Sequence, residues 1–162
     1  VCVAYGGGVL FQKAFSYGGG YITASLIDAF GLELDFAEKL KRTINLGFDV
    51  KSTEKYTVTL NDDFIVVPIE KANLTVRACL DELAGQISNL LTEWHIECDR
   101  NIPVALTGGG ISYMRGAKEL LASRLDSGIF VIVPPVPAMN LPDKSACLSL
   151  LDRALGIEEG RI

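Results

Sequence analysis

The sequence has 162 residues, of which 49% are hydrophobic and 22% charged, a composition typical of a folded globular chain rather than a disordered one. Its 20 Asp and Glu outnumber its 15 Lys and Arg, and the net charge of −5, with no basic run, argues against nucleic acid as a partner. A single histidine and four cysteines without CxxC spacing favour reduced thiols in the cytoplasm over a zinc site, and no apolar run reaches the roughly 18 residues of a membrane span.

The first part of the chain is predicted to be a hairpin followed by a helix. Residues 1–16 contain two β-rich runs, VCVAY and VLFQKAF, and the flexible Gly6-Gly7-Gly8 between them suits a short hairpin turn. A second triple glycine, Gly18-Gly19-Gly20, leads into YITASLIDAFGL, where apolar residues recur at helical spacing. Gly31 is expected to end this helix. Because the chain opens directly on strand-like residues, we expect it to be a fragment of a longer fold.

The middle of the chain predicts two helices separated by a second hairpin. In the helix LDFAEKLKRTINLG, Asp35 and Glu38 have the spacing of a capping box, and Gly47 stands where a glycine commonly ends a helix. Within residues 50–70, the strands YTVTL and FIVVPI flank a turn-like Asn-Asp-Asp. Residues 73–97 are predicted to be the longest helix, with one apolar face.

The last third alternates strands and helices. IPVALTG and IFVIV predict short buried strands, while residues 115–126 and the segment SACLSLLDRALG predict helices. Apolar strands between helices are typical of a parallel sheet covered by helices on both faces, so the sequence predicts an α/β fold. The helix-hairpin-helix pattern of residues 32–98 predicts a small α+β subdomain inserted into that sheet.

The segment LTGGG, residues 106–110, is the first candidate site. It follows a predicted buried strand and precedes a helix, and ligands commonly bind at the carboxyl ends of parallel strands. Glycines there let the backbone approach a ligand closely. The segment is neither a Walker A loop nor a GxGxxG motif. A tight strand-to-helix turn without a ligand explains the same residues equally well.

A second candidate is the face of the predicted helix that carries Glu38, Lys41 and Arg42, because spacings of three and four residues bring these side chains together. They have the chemistry of a nucleoside clamp: a carboxylate for ribose hydroxyls, a lysine beside it, and a guanidinium that can stack on a base. Two other interpretations stay open. Glu38 could close the capping box with Asp35, or form a solvated pair with Arg42 that contributes roughly 0.3–0.5 kcal/mol.

Other polar residues are weaker candidates. His95 and Trp94, at the end of the longest predicted helix, favour packing and surface roles, and Asp62-Asp63 favours a turn over a metal site. With one histidine and no nucleophile motif, the sequence offers no Ser-His-Asp or Cys-His arrangement. No catalytic residue is therefore assigned.

The order and spacing of these stretches resemble the second half of the actin-like ATPases, a superfamily of actins, sugar kinases and DnaK-type chaperones. The resemblance is closest to the bacterial cell-division protein FtsA and the pilus-assembly protein PilM. YGGGYIT resembles the family's GGxxIT, FAEKLKRTINLG its AExLK and following glycine, IPVALTGGGISYMRGAKELL its adenosine motif, and IFVIVPPVP its closing strand. The matched positions outside TGGG are Gly18, Gly19, Ile22, Thr23, Ala37, Glu38, Leu40, Lys41, Gly47 and Gly116.

The resemblance implies that the protein binds ATP with Mg²⁺. Glu38 and Lys41 would reach the ribose, and Arg42 would stack on adenine as the matching arginine does in DnaK-type chaperones. The TGGG loop would pass beside the adenosine and inner phosphates, and the loop at the second triple glycine would lie near the cleft. The implied nucleotide-binding positions are Glu38, Lys41, Arg42, Gly18, Gly19, Gly108, Gly109 and Gly110.

The implied architecture is the second lobe of an actin-like ATPase. A ribonuclease-H-like sheet would be built from residues 1–31 and 99–162, with 32–98 as the inserted subdomain. The implied function is that of an ATP-binding, FtsA-like protein of cell division or of a membrane-associated assembly, cytoplasmic and membrane-associated through partners or segments outside this chain. Self-association into filaments or dimers and contacts with division or pilus proteins would follow. A DnaK-like or enzyme-reactivating chaperone, and an assembly module that has lost nucleotide, are the alternatives.

The sequence departs from the family at several points. The DxGxxTT phosphate loop would precede residue 1, and the first lobe with its catalytic residues is not among these residues, so we expect the chain alone to be inactive in hydrolysis. After TGGG the family often has Ser and then Leu, whereas residues 111–115 here are ISYMR. The amphipathic membrane-targeting tail of FtsA is not evident after Ile162.

Overall fold

The computed structural model describes residues 1–5, 8–47, 54–94 and 104–159. This part of the chain contains five α-helices and six β-strands. The strands are β1 Cys2–Tyr5, β2 Gly8–Gln12, β3 Lys55–Leu60, β4 Asp63–Pro68, β5 Val104–Leu106 and β6 Ile129–Val131. The helices are α1 Gly19–Phe30, α2 Leu34–Thr43, α3 Ile69–Glu93, α4 Ala117–Leu125 and α5 Ser145–Glu158, with short 3-10 turns at Pro137–Met139 and Pro142–Lys144.

The described strands pair two by two. β1 and β2 form an antiparallel hairpin, as do β3 and β4, while β5 and β6 are parallel. The α/β class predicted from the sequence is therefore confirmed. Hydrogen bonds do not join these three pairs into one sheet within the described ranges, so the finer ribonuclease-H-like topology stays a prediction.

Among the described elements, α4 packs against β6 of the parallel pair. The middle residues of both strands, Ala105 and Phe130, are exposed. Helices on both faces of this pair therefore stay a prediction.

Several local predictions are confirmed by the backbone. Gly31 ends α1 in the left-handed conformation (φ 64°), and its N–H donates to the carbonyl of Ile27 at 2.7 Å. The β3–β4 hairpin turns at Asn61, which also has a positive φ (53°). In the first hairpin, Tyr5 pairs with Gly8, whereas Gly6 and Gly7 lie outside the described residues.

Two predictions about helix ends are wrong. The N-cap of α2 is Glu33, so Asp35 already lies in the first helical turn, and no side chain caps this helix. The capping box between Asp35 and Glu38 is therefore not formed. At the other end α2 stops at Thr43 with Ile44 as its C-cap. Gly47 lies beyond, because the chain first runs alongside the loop before α4, where the Leu46 N–H donates to the carbonyl of Arg115 at 2.9 Å.

The longest helix, α3, begins at Ile69 and follows β4 directly. The sequence predicted its start at residue 73, but Pro68 sits at the N-cap, where a proline ends the strand ladder and costs the helix no hydrogen bond. The predicted end at residue 97 lies outside the described residues. No helix in the described ranges is long and apolar enough to cross a membrane.

One hydrophobic cluster holds α1, α2, the β3–β4 hairpin, α3 and α4 together. Leu26, Leu40, Val76 and Leu80 are fully buried within it, and burying a side chain of this size stabilises the fold by about 2 kcal/mol. The i, i+4 spacing of Val76 and Leu80 in the sequence produces this buried face. The cluster fixes α1 and α2 against each other and so positions the polar side chains described below.

Candidate functional site

Four separated stretches of the chain meet around one cleft of about 540 Å³. The residues that line it fall into two groups. One group, which we call the helical wall, comes from α1 and α2: Gly19, Gly20, Glu38, Lys41 and Arg42. The other, the loop wall, comes from the TGGG segment, the residues after it and the turn before α5: Gly109, Gly110, Tyr113, Met114 and Asp143.

The two walls touch where two glycines meet backbone to backbone. A Cβ placed on Gly19 would lie 2.8 Å from the Cα of Gly110, and a Cβ on Gly110 would lie 2.9 Å from the Cα of Gly19. Two carbon atoms do not come this close unless one of them moves, and here the atoms in the way belong to the backbone. Glycine is therefore required on both sides, and any side chain at either position would force the walls apart.

Lys41 is the centre of the polar network in the helical wall. Its ammonium donates to Glu38 Oε1 at 2.6 Å, to Thr23 Oγ1 at 2.7 Å and to the carbonyl of Gly19 at 3.2 Å. An ammonium has three N–H donors, so all of them are used inside the chain. The residue is only 9% exposed. Lys41 thus ties α2 to the first turn of α1 and holds the Gly19 loop in place.

Glu38 faces the cleft with one oxygen engaged and one available. Oε1 accepts hydrogen bonds from Lys41 and Thr23, while no described residue donates to Oε2. The side chain is 36% exposed. Partial burial raises the pKa of the Glu38 carboxyl, but hydrogen bonds from Lys41 and Thr23 and the charges of Lys41 and Arg42 outweigh it, so the pKa lies below its ordinary value of 4.5. The carboxylate is therefore ionised at neutral pH and can accept donors from a ligand.

Arg42 carries a second positive charge in the helical wall, beside that of Lys41. It is exposed and lines the cleft, and within the described ranges no carboxylate pairs with it. The solvated Glu38–Arg42 pair considered from the sequence is absent, because Glu38 pairs with Lys41 instead. A planar guanidinium in this position is available to stack on a ring or to donate to an anion.

The loop wall is held by the backbone. Gly108 has a positive φ of 91°, and its N–H donates to the carbonyl of Pro142 at 3.0 Å. Thr107 Oγ1 donates to Ser145 Oγ at 2.6 Å. These two bonds fasten the turn before α5 to the TGGG segment. A Cβ on Gly109 would lie 2.8 Å from Asp143 Cβ, so the missing side chain is what lets Asp143 lie against the loop.

Tyr113 and Asp143 form a hydrogen-bonded pair on the loop wall. The Tyr113 hydroxyl donates to Asp143 Oδ1 at 2.9 Å. Desolvation, and then the hydrogen bond and negative charge of Asp143, raise the pKa of Tyr113 above its ordinary value. The phenol therefore remains a donor at neutral pH and fixes the carboxylate at the edge of the cleft.

A further glycine locks the loop wall to the segment after α2. Gly116 has φ 82°, and a Cβ there would lie 3.0 Å from Leu46 Cβ and 3.1 Å from the Gly47 nitrogen. This contact requires glycine at position 116, because a side chain there would press on the chain at Leu46 and Gly47. Both glycines serve the junction between the two stretches rather than a ligand.

Most residues that the sequence selected lie at this cleft. Those lining it are Gly19, Glu38, Lys41, Arg42, Gly109 and Gly110. Gly18 and Gly108 each lie one residue before a lining glycine; Gly18 is the N-cap of α1. Gly20, which was expected only near the cleft, also lines it, whereas the lining residues Tyr113, Met114 and Asp143 were not predicted from the sequence. The sequence analysis treated Thr23 only as a motif position, although Thr23 is buried between Glu38 and Lys41.

The weaker candidates occupy structural positions. Trp94 stacks on Phe11 with ring centroids 4.8 Å apart, and His95 lies outside the described residues. Asp62 is in the β3–β4 turn and Asp63 begins β4. Among the described residues, no group of three or more His, Cys, Asp or Glu side chains is placed to hold a metal ion.

No protein-family model matches the chain, and no curated protein matches it significantly.

Proposed function

We propose that the chain is the ATP-binding lobe of an actin-like ATPase similar to FtsA and PilM, with ATP and Mg²⁺ as the ligands of the complete protein. The observation that carries the proposal is the convergence of three sequence stretches on one cleft. The resemblance assigned nucleotide contacts to the second triple glycine, to EKLKR and to TGGG, and residues from all three line this cleft. They are separated by up to about 90 residues along the chain, so chance adjacency is a poor explanation.

Each wall has a defined role in this proposal. Oε2 of Glu38 accepts the ribose hydroxyls, and the Arg42 guanidinium stacks on the base. The glycines of the loop wall let the ligand approach the backbone closely. Lys41 acts as a positioning residue for Glu38 and Gly19, because its three donors are already used. This role differs from the ribose contact that the resemblance implies for it.

The finer architecture belongs to the same proposal. The β1–β2 hairpin and the β5–β6 pair would belong to one ribonuclease-H-like unit, and residues 32–98 would be its inserted subdomain. Cell division or assembly of a membrane-associated machine, self-association, and contacts with division or pilus proteins rest on the resemblance alone. Together, these roles describe a scaffold protein whose assembly depends on nucleotide.

A DnaK-like or enzyme-reactivating chaperone ATPase is the second candidate. The observation that favours it is Arg42, which follows EKLK as in the chaperone pattern and lies exposed in the cleft without a carboxylate partner among the described residues. An assembly module without nucleotide is the third possibility, and failure of the binding experiment below would support it.

The proposal is tested by titrating the isotope-labelled full-length protein that contains this chain with Mg-ATP and following the amide signals of these residues. We expect saturable binding, weakened about three- to tenfold by Arg42→Ala, since a cation–π contact contributes roughly 0.5–2 kcal/mol. The matched control is Arg153→Ala, which removes an exposed arginine on α5 outside the cleft and should leave the affinity unchanged. Absence of saturable binding, or equal affinities of both variants, would contradict the nucleotide proposal.

A further inference from the structure

We infer that Asp143, held by Tyr113, recognises the amino group of the base and makes the cleft selective for bases that carry a hydrogen-bond donor there. This inference rests on the proposed function and deepens it, because it names the part of the nucleotide that the loop wall reads. Neither residue was among the positions implied by the resemblance.

The charges of the cleft favour the nucleoside end of a nucleotide over its phosphates. Glu38 and Asp143 are carboxylates, whereas Lys41 and Arg42 are cations. Lys41 is neutralised by Glu38 at 2.6 Å and has no spare donor, so Arg42 is the cation left for a ligand among the lining residues. A chain of phosphates would meet two carboxylates and, besides the Lys41 that Glu38 already pairs with, the single cation Arg42 among the lining residues. Ribose hydroxyls and an amino group are donors and match the two carboxylates.

Asp143 is fixed well enough to act as a recognition group. Its neighbour Pro142 is buried and accepts a hydrogen bond from the Gly108 N–H at 3.0 Å, so the turn cannot swing away without breaking contact with the TGGG segment. The Tyr113 hydroxyl occupies one lone pair of Oδ1. Lys144 lies 3.8 Å from Oδ2, which is beyond hydrogen-bond distance. Oδ2 and the second lone pair of Oδ1 therefore remain available to a ligand.

The two walls supply complementary contacts to one nucleoside. If the Glu38 carboxylate takes the ribose and Arg42 stacks on the base, the remaining carboxylate among the lining residues is that of Asp143. Adenine presents its exocyclic amino group as a donor, and guanine presents an amino group and a ring N–H. Purine riboside has the same ring system and the same ribose, but its base carries no donor. Comparison of adenosine with purine riboside thus isolates the contact with Asp143.

The test is a cycle of two proteins and two ligands. Dissociation constants of adenosine and purine riboside are measured by amide-shift titration for the wild-type full-length protein and for its Asp143→Ala variant, which keeps the Cβ that packs against Gly109. We expect the wild type to bind adenosine about tenfold more tightly than purine riboside, as one hydrogen bond to a charged group predicts. In Asp143→Ala this preference should disappear, through weaker adenosine binding with purine riboside unchanged.

Two further variants serve as controls for the contact between Asp143 and the base. Asp152→Ala removes an exposed carboxylate of α5 outside the cleft and should keep the wild-type preference. Tyr113→Phe frees Asp143 to rotate and should reduce the preference without abolishing it. Equal binding of the two nucleosides by the wild type, or a preference that survives in Asp143→Ala, would overturn this inference and leave the proposed function standing. If neither nucleoside nor Mg-ATP binds, the proposed function itself fails.

Discussion

The two walls of the cleft hold their polar groups in different ways. In the helical wall, a buried lysine closes a network of side chains that are set by helical spacing, with Glu38 and Lys41 three residues apart on α2. In the loop wall, the backbone does this work, through Gly108 and Pro142, and the side chains of Tyr113 and Asp143 remain exposed. The helical wall therefore depends on charge, whereas the loop wall depends on glycine conformation and close approach.

This difference separates residues that shape the cleft from residues that are available to a ligand. Lys41 is saturated within the chain, while its neighbour Arg42 is exposed in the cleft. The backbones of Gly19 and Gly110 are in contact, whereas a Cβ placed on Gly20 would have no atom within 4 Å. Neighbouring residues with the same chemistry thus have different roles, and each pair gives a matched experiment.

The largest effect is expected where the walls touch. Gly19→Ala should lower the free energy of unfolding by about 1–3 kcal/mol, because the new methyl group overlaps the backbone of Gly110. Gly20→Ala, one residue later in the first turn of α1 and with no atom within 4 Å, should raise it by up to about 1 kcal/mol through helix propensity. Urea denaturation of both variants measures the difference. Equal stabilities would show that the walls are not in contact.

A smaller effect is expected at the centre of the helical wall. Lys41→Met keeps most of the side-chain volume but removes three hydrogen bonds, and we expect it to lower the free energy of unfolding by about 1–2 kcal/mol. Arg42→Met should change it by less than about 0.5 kcal/mol, as is usual for exposed residues. The same denaturation experiment checks both. A variant of Arg42 as unstable as that of Lys41 would contradict the division of roles.

The smallest effect is a pH dependence that Glu38 contributes. Because its pKa in the folded chain is lowered from 4.5, the ionised carboxylate stabilises the fold above that value. The contribution is lost as the pH falls through the folded-state pKa. Solvent screening of a carboxylate that is 36% exposed should keep it below about 1 kcal/mol.

Glu38→Gln provides the comparison for this pH dependence. The stability difference between wild type and variant should be constant from pH 7 to about 5.5 and should narrow as the carboxylate is protonated. Denaturation curves at a series of pH values measure it. A difference that stays constant down to pH 3 would mean that Glu38 has no favourable partner in the folded chain.

The sequence predicted the elements of this fold better than their assembly. Apolar spacing located α1 and α3, and Gly31 was correctly placed as a helix end, because these features depend on neighbours in the chain. The capping box at Asp35 was wrong, since burial of Ala37 and Leu40 decides where α2 begins and which way Glu38 points. Pairing of the strands depends on contacts distant in sequence, and no local pattern contains them.

The same limit applies to the site. Helical spacing brought Glu38, Lys41 and Arg42 together correctly, but it did not show that Lys41 would turn inward to Thr23. Asp143 follows a proline-rich segment and carries no motif, so only its distance from Tyr113 reveals it. The sequence therefore identified the helical wall in large part, and of the loop wall it identified only the glycines.

If the two walls form a single ligand site, an amide-shift map of the Mg-ATP titration should show both of them responding to the ligand. We expect the largest shifts at Gly19, Gly110 and Tyr113, with Asn61 at the tip of the β3–β4 hairpin unmoved, because only the first three lie at the cleft. Shifts of both walls with one common dissociation constant would support a single site. Shifts confined to one wall, or absent at saturating Mg-ATP, would contradict it.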